Sequence, residues 1–199
     1  MKLNYNLDFK CKTRQTDVTQ DEFFMMAAFI SKFDIKNYLE VGVWHGATLY
    51  SMVNLFKLNG VDLDAWGYDC FDEGADPKVL NSHTSGWPSK KMVQELFHEF
   101  NNVTLATGDA SNIHNVLSNQ KFDFVFHDAN HTKDAIIGDL LVLKNILNDN
   151  AYISVHNSAF DEPWRNFFGK TAINYLVENN HYKFIATANT ATLLQKINE

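Results

Sequence analysis

The chain has 199 residues, 45% hydrophobic and 21% charged, a composition that suits one globular domain with a sizeable core. A net charge of −7, with no basic run longer than Lys90–Lys91, argues against nucleic acid as a partner. Two scattered cysteines (Cys11 and Cys70), an N-terminus without an apolar core and no apolar run of membrane-spanning length point to a cytoplasmic protein without membrane contact.

No repeat or Pro/Gly-rich linker interrupts the chain, so residues 1–199 read as a single domain with an N-terminal extension over 1–20. The spacing of apolar residues predicts a helix over 21–33, a strand over 38–43, a helix over 47–58 and a strand over 65–69. Residues 71–89 follow, with Gly74, Pro77, His83, Gly86, Trp87 and Pro88. So long an irregular connection is expected to be a mobile lid. Pro88 is read as the first turn of a helix whose Met92, Val93, Leu96, Phe97 and Phe100 share one face. Next come a strand over 103–107, a helical turn over 113–117 and a strand over 122–128. A helix capped by Thr132 then carries Ile136, Ile137, Leu140, Leu141 and Leu147, ahead of a strand over 152–156. A helix is predicted from Pro163 to about residue 177, and strands over 183–188 and 191–196 flank a tight Asn189–Thr190 turn. The sixteen Phe residues fall mostly within these periodic segments and are expected to pack the core.

Strands alternating with helices imply an α/β fold of Rossmann-like, doubly wound type. The final pair has no helix between its strands, so a mostly parallel seven-stranded sheet would end in a C-terminal antiparallel hairpin. In such sheets ligands collect where strands run into helices at the carboxyl edge. Five such junctions carry polar chemistry.

The first, YLEVGVWHGAT, places Glu40 two residues before Gly42, with Gly46 four further on. The dinucleotide fingerprint is absent. A carboxylate there suits a cationic amine or sulfonium better than a pyrophosphate. In the second, WGYDCFDE, Asp69 ends a strand, where it could take a ribose diol or form a turn. In the third, LATGDASN, Asp109 stands beside the same crevice or caps a helix. The fourth, FDFVFHDANHTKD, gathers His127, Asp128, Asn130 and His131, more polar groups than one cap needs. His131 has the ordinary near-neutral basicity suited to taking a hydroxyl proton, and Asp128 suits a hard cation or a ligand amine. The fifth, AYISVHNSAF, ends in His156, read as a packed histidine, and Asn157.

In this order the junctions resemble the class I S-adenosylmethionine-dependent methyltransferases, and within them the macrocin-type and other sugar or natural-product O-methyltransferases. EVGVWHG, DANHT and HN stand where that group carries E-x-G-x-x-x-G, an acidic–His cluster and a short H-D, over roughly residues 36–197. The resemblance implies methyl transfer from S-adenosylmethionine to a hydroxyl of a small molecule. It implies that Glu40, Gly42, Val43 and Gly46 line the methionine end of the cofactor, and that Asp69, with Cys70 beside it, holds the ribose. Asp109 and Ala110 would meet the adenine, Asp128 would contact the cofactor and assist catalysis, and His131 would be the general base. In metal-dependent relatives the matching positions, here Asp128 and Asn157, hold Mg2+. His156 stands where a carboxylate is common, which weakens that site. Other readings are a non-catalytic S-adenosylmethionine-binding module and a nucleotide-sugar or nicotinamide enzyme on a similar scaffold. The domain carries no added recognition module. Substrate selection then falls to the lid, to the aromatic stretch 160–168 with Trp164 and Arg165, to the first helix or to a second copy in a homo-oligomer.

Overall fold

The computed structural model describes residues 17–74 and 87–198. Its first half runs α1 (Gln20–Lys32), β1 (Asn37–Val41), α2 (Ala47–Leu58), β2 (Asp64–Asp69), α3 (Phe71–Gly74), α4 (Lys90–Leu96) and β3 (Val103–Thr107). The second half runs α5 (Ile113–Val116), β4 (Phe122–His127), α6 (Lys133–Leu143), β5 (Leu147–Val155), α7 (Gly169–Glu178), β6 (Tyr182–Ala188) and β7 (Ala191–Lys196).

The strands form one seven-stranded sheet in the order β3-β2-β1-β4-β5-β7-β6. β1 to β5 are parallel, and β7 runs antiparallel to both β5 and β6. The expected sheet and terminal hairpin are both present. Asn189, at φ 48°, takes the left-handed conformation that a tight turn demands.

Apolar side chains coat both faces. On one, Phe23, Met26 and Ile30 of α1 join Leu49, Met52 and Phe56 of α2 and Phe97 after α4. On the other, Ile136 and Leu140 of α6 meet Ala172 and Leu176 of α7. Seven phenylalanines, among them Phe122, Phe124 and Phe126, are below 2% exposed, each contributing on the order of 2 kcal/mol by burial. No helix among the described residues is long and apolar enough to cross a membrane.

Three local expectations change. Leu147 opens β5 rather than extending the helix before it, because α6 ends at Leu143 and a 3-10 turn over Lys144–Ile146 leads into the strand. Pro88 precedes the helix rather than entering it, because Ser89 is the cap and accepts from the Met92 amide at 3.2 Å. Met92 is thereby rotated outward and left 44% exposed. The helix expected from Pro163 is broken. Asn166 turns left-handed at φ 59°, Glu162 bridges back to Phe167, and α7 starts only at Gly169, where Asp161 accepts from the Thr171 amide and hydroxyl. Of the expected lid, residues 75–86 lie outside the described residues. So do residues 1–16, which hold Cys11. The flanks of the lid are joined, since the Asp72 amide donates to the Pro88 carbonyl at 3.2 Å.

Candidate active site

The sheet order reverses between β1 and β4, which are adjacent although β2 and β3 intervene in sequence. Their register pairs Val41 with His127, so Gly42 and Asp128 come next on either side of that switch point. The Asp128 amide donates to the Val41 carbonyl at 2.8 Å and fixes the junction. Gly42 sits at φ +89°, and a Cβ there would lie 2.2 Å from the Asp128 carbonyl oxygen. The close approach that this glycine permits is therefore first to the chain's own backbone. Gly46, at φ +79°, packs against Val93, Leu96 and Phe97 and heads α2. Val43, between them, is buried.

Glu40 points into the α1/α2 face of the sheet and is 1% exposed. It accepts a hydrogen bond from the Tyr38 hydroxyl at 3.2 Å. Burial raises its carboxyl well above the usual range, and the nearby Asp128 charge raises it further. Asp128 is likewise pushed up to about 6 by desolvation, against the pull of His156 and His127. Two carboxyls whose ionised forms are disfavoured thus flank the switch point.

Asp69 is engaged differently. One oxygen accepts from the Trp44 amide at 2.8 Å, and the other from the Phe71 amide at 3.0 Å and from the Cys70 thiol at 3.4 Å. Trp44 and Phe71 are both left-handed at φ 46°, so this carboxylate holds two strained junctions together. Burial pushes the Cys70 thiol up to about 12, which leaves it protonated. Asp109 caps the short 3-10 turn Ala110–Asn112, accepting from the Ser111 amide at 2.9 Å, while its carbonyl takes the Tyr68 hydroxyl at 3.1 Å.

The polar cluster after β4 splits in two. His127 shares its face with Val125 and turns away from the crevice. It is fully buried and paired through Nε2 with Asp139 of α6 at 3.0 Å, so it is not part of a substrate pocket. Asn130 accepts from the Thr132 amide at 2.9 Å and closes the turn before α6. Thr132 holds the cap position without a side-chain bond.

His131 stays with Asp128, its Nε2 3.5 Å from Oδ1. Its ring lies 4.6 Å from Phe167 and 5.9 Å from His156, and Arg165 stacks on the far side of Phe167 at 4.5 Å. Desolvation, reinforced by His156, His127 and Arg165, lowers His131 to about 3, well below the ordinary histidine value expected from sequence. The imidazole is therefore neutral at pH 7. The 160–168 stretch reaches the site through Phe167, and Trp164 projects outward at 78% exposure.

His156 is buried, as its reading as a packed histidine requires, and Asn157 follows it in the left-handed conformation at φ 50°. Among the described residues no three His, Cys, Asp or Glu side chains converge as metal ligands. Asp128 and Asn157 would offer Mg2+ one carboxylate and one neutral amide oxygen, the remaining positions falling to water or to substrate oxygens.

Glu22 of α1 was not among the residues singled out from sequence. It is fully buried, accepts from the Thr19 and Thr190 amides at 2.9 and 2.8 Å, and stands 3.7 Å from His156 Nδ1. Two signals were available: Thr19-x-x-Glu22 is a capping box, and Glu22, Met26 and Ile30 share one helical stripe. A carboxylate on an apolar stripe needs partners inside the fold.

A methyltransferase domain family matches residues 39–158. No curated protein matches the chain in sequence. Among solved structures, the SAH-bound methyltransferase PaMTH1 of Podospora anserina is 17% identical, with a TM-score of 0.64 over 91% of this chain and 80% of its own. The O-methyltransferase TomG of Streptomyces achromogenes, in complex with SAM, is 16% identical, with a TM-score of 0.63 over 92% and 82%. An O-methyltransferase of Bacillus cereus in complex with SAH is 13% identical, with a TM-score of 0.63 over 92% and 83%.

Proposed function

We propose that this chain, which belongs to the methyltransferase domain family, transfers the methyl group of S-adenosylmethionine to a hydroxyl of a small molecule. The observation that carries the reading is the pair Glu40 and Asp128. Both carboxyls are raised by burial at the ends of adjacent strands, and a sulfonium or ammonium cation delivered between them offsets the cost of ionising each. A dinucleotide pyrophosphate would meet repulsion at the same place, which disfavours the nicotinamide alternative. The two O-methyltransferases named above, one seen with SAM and the other with SAH, are consistent with this cofactor and acceptor type.

Glu40, Gly42, Val43 and Gly46 would line the methionine end, Asp69 and Cys70 the ribose, and Asp109 with Ala110 the adenine. Asp69 spends most of its acceptor capacity on Trp44 and Phe71, so it would shape the ribose subsite as much as bind it. When bound, the cofactor supplies an electrophilic methyl carbon for in-line displacement by the acceptor oxygen. His131 receives the hydroxyl proton, and ionised Asp128, 3.5 Å away, stabilises the imidazolium that forms. Phe167 and the neutral His131 ring exclude water from the reacting atoms.

The low basicity of His131 favours one second reading, a module that binds the cofactor without turnover. Calorimetric titration with S-adenosylmethionine and S-adenosylhomocysteine, with and without Mg2+, tests the cofactor. Failure to bind either compound refutes the proposal. A hydroxyl-acceptor screen then separates the two readings. In an active protein, His131→Ala should reduce turnover by roughly two to four decades and leave cofactor affinity within a few-fold. Equal losses in both would make His131 structural.

A further inference from the structure

We propose that Glu22 is a positioning residue for the candidate active site: it fixes the proton of His156 on Nδ1 and thereby holds the histidine ring that packs against His131. The role in catalysis rests on His131 as the base, whereas the placement of the proton rests on geometry alone.

Glu22 joins α1 to the β6–β7 turn and to the end of β5. One oxygen accepts from both the amide and the hydroxyl of Thr190, and the other accepts from the Thr19 amide. That second oxygen also faces His156 Nδ1 at 3.7 Å, within ion-pair reach and beyond hydrogen-bond length. His156 Nδ1 is fully buried and has no hydrogen-bond partner among the described residues. A bare lone pair turned toward a carboxylate oxygen would be repulsive, so the favourable tautomer carries its proton there. The His156 ring meets His131 edge-on at 5.9 Å and Phe126 at 6.2 Å. Rotating it would remove the wall against which His131 rests. The first turn of α1 is thereby tied to the proton-accepting residue, although the two lie more than a hundred positions apart in the sequence.

Glu22→Gln makes the test sharp. A glutamine has a single acceptor oxygen, and two donors from Thr190 compete for it. Its NH2 group then faces His156 Nδ1, which must present a lone pair. Multiple-bond 15N–1H spectra of the imidazoles in the full-length protein, with His156 assigned by its loss in His156→Asn, read the tautomer directly. The expected result is Nδ1–H in the natural chain and Nε2–H in Glu22→Gln, with a displaced His131 resonance in the variant. Thr190→Val, which keeps both carboxylate oxygens, should retain Nδ1–H. Nε2–H in the natural chain, or an unchanged tautomer in folded Glu22→Gln, overturns the proposal. If Glu22→Gln does not fold, the natural chain and Thr190→Val decide. Loss of Nδ1–H in either refutes it, and its retention in both supports it. A His131→Ala variant with undiminished turnover would instead refute the reading of His131 as base and leave the tautomer result standing.

Discussion

Replacing Asp69 with alanine separates a structural role from a ligand-binding one. The carboxylate is 6% exposed and accepts from two backbone amides, Trp44 at 2.8 Å and Phe71 at 3.0 Å, each on a left-handed residue. Hydrogen bonds to a charged group are worth about 1.5–3 kcal/mol each. Partial relaxation of the two freed loops brings the expected loss to about 3–5 kcal/mol. For a domain of this size that corresponds to a drop in Tm of roughly 6–20 °C. Thermal and urea unfolding of the ligand-free variant measures it, and calorimetry reports cofactor affinity separately. If Asp69 served only a ribose, Tm would be unchanged while affinity fell. An unfolding midpoint within a degree or two of the natural chain refutes the assignment of Asp69 as the tie between the first two junctions.

Gly42→Ala should be severely destabilising, by roughly 3–5 kcal/mol, because its Cβ would lie 2.2 Å from a backbone oxygen at φ +89°. Gly46→Ala, whose Cβ would meet only side-chain atoms of α4 and Phe97 at 3.1–3.4 Å, should cost about 1–2 kcal/mol; equal unfolding midpoints for the two would refute the close-approach argument. A cation binds the ionised form of Asp128, so affinity for S-adenosylmethionine should rise as pH passes through about 6, and Asp128→Asn should remove that step. The stability of the ligand-free chain moves the opposite way. Between about pH 4 and pH 6 the folded Asp128 binds more protons than the unfolded one, so its contribution to stability falls as pH rises; calorimetry and unfolding across pH 4–8 check both signs.

The sheet was legible in the sequence because its strands are short apolar runs separated by helical periods, and the hairpin because Asn189–Thr190 leaves no room for a helix. The five junctions were legible for the same reason, since polar groups at strand ends stand out against buried runs. What each carboxylate does there was not. Asp69 takes donors from Trp44 and Phe71, a partnership set by two loops meeting in space. His127 was within reach: strand alternation puts it with Val125 rather than Phe126, but its partner Asp139 lies a turn and a half into the next helix. The break after Pro163 was hidden because residues 163–177 keep a helical apolar period across Asn166, and only the bridge from Glu162 to Phe167 reveals the reversal. The basicity of His131 was invisible, because it depends first on how deeply the fold buries the ring and then on the charges of His156, His127 and Arg165, which come from separate segments.

The junction carboxylates differ in what surrounds them, and on the proposed reading that difference sets the charge preference of the crevice. Asp69 and Asp109 are met by amide hydrogens from within the fold. Glu40 and Asp128 are the two that burial pushes upward. For Asp128 a rise to about 6 corresponds to roughly 3 kcal/mol against the ionised folded state at neutral pH. A fold carries such a cost where a ligand offsets it, and a cation does so in proportion to how fully water is excluded. The same geometry that destabilises the free chain thus sharpens its discrimination, because a neutral or anionic ligand gains nothing from relieving either carboxyl. On that reading occupancy is also a folding term: a cation bound between Glu40 and Asp128 would stabilise the native state by mass action, with an affinity that already includes the cost of ionising the two carboxyls.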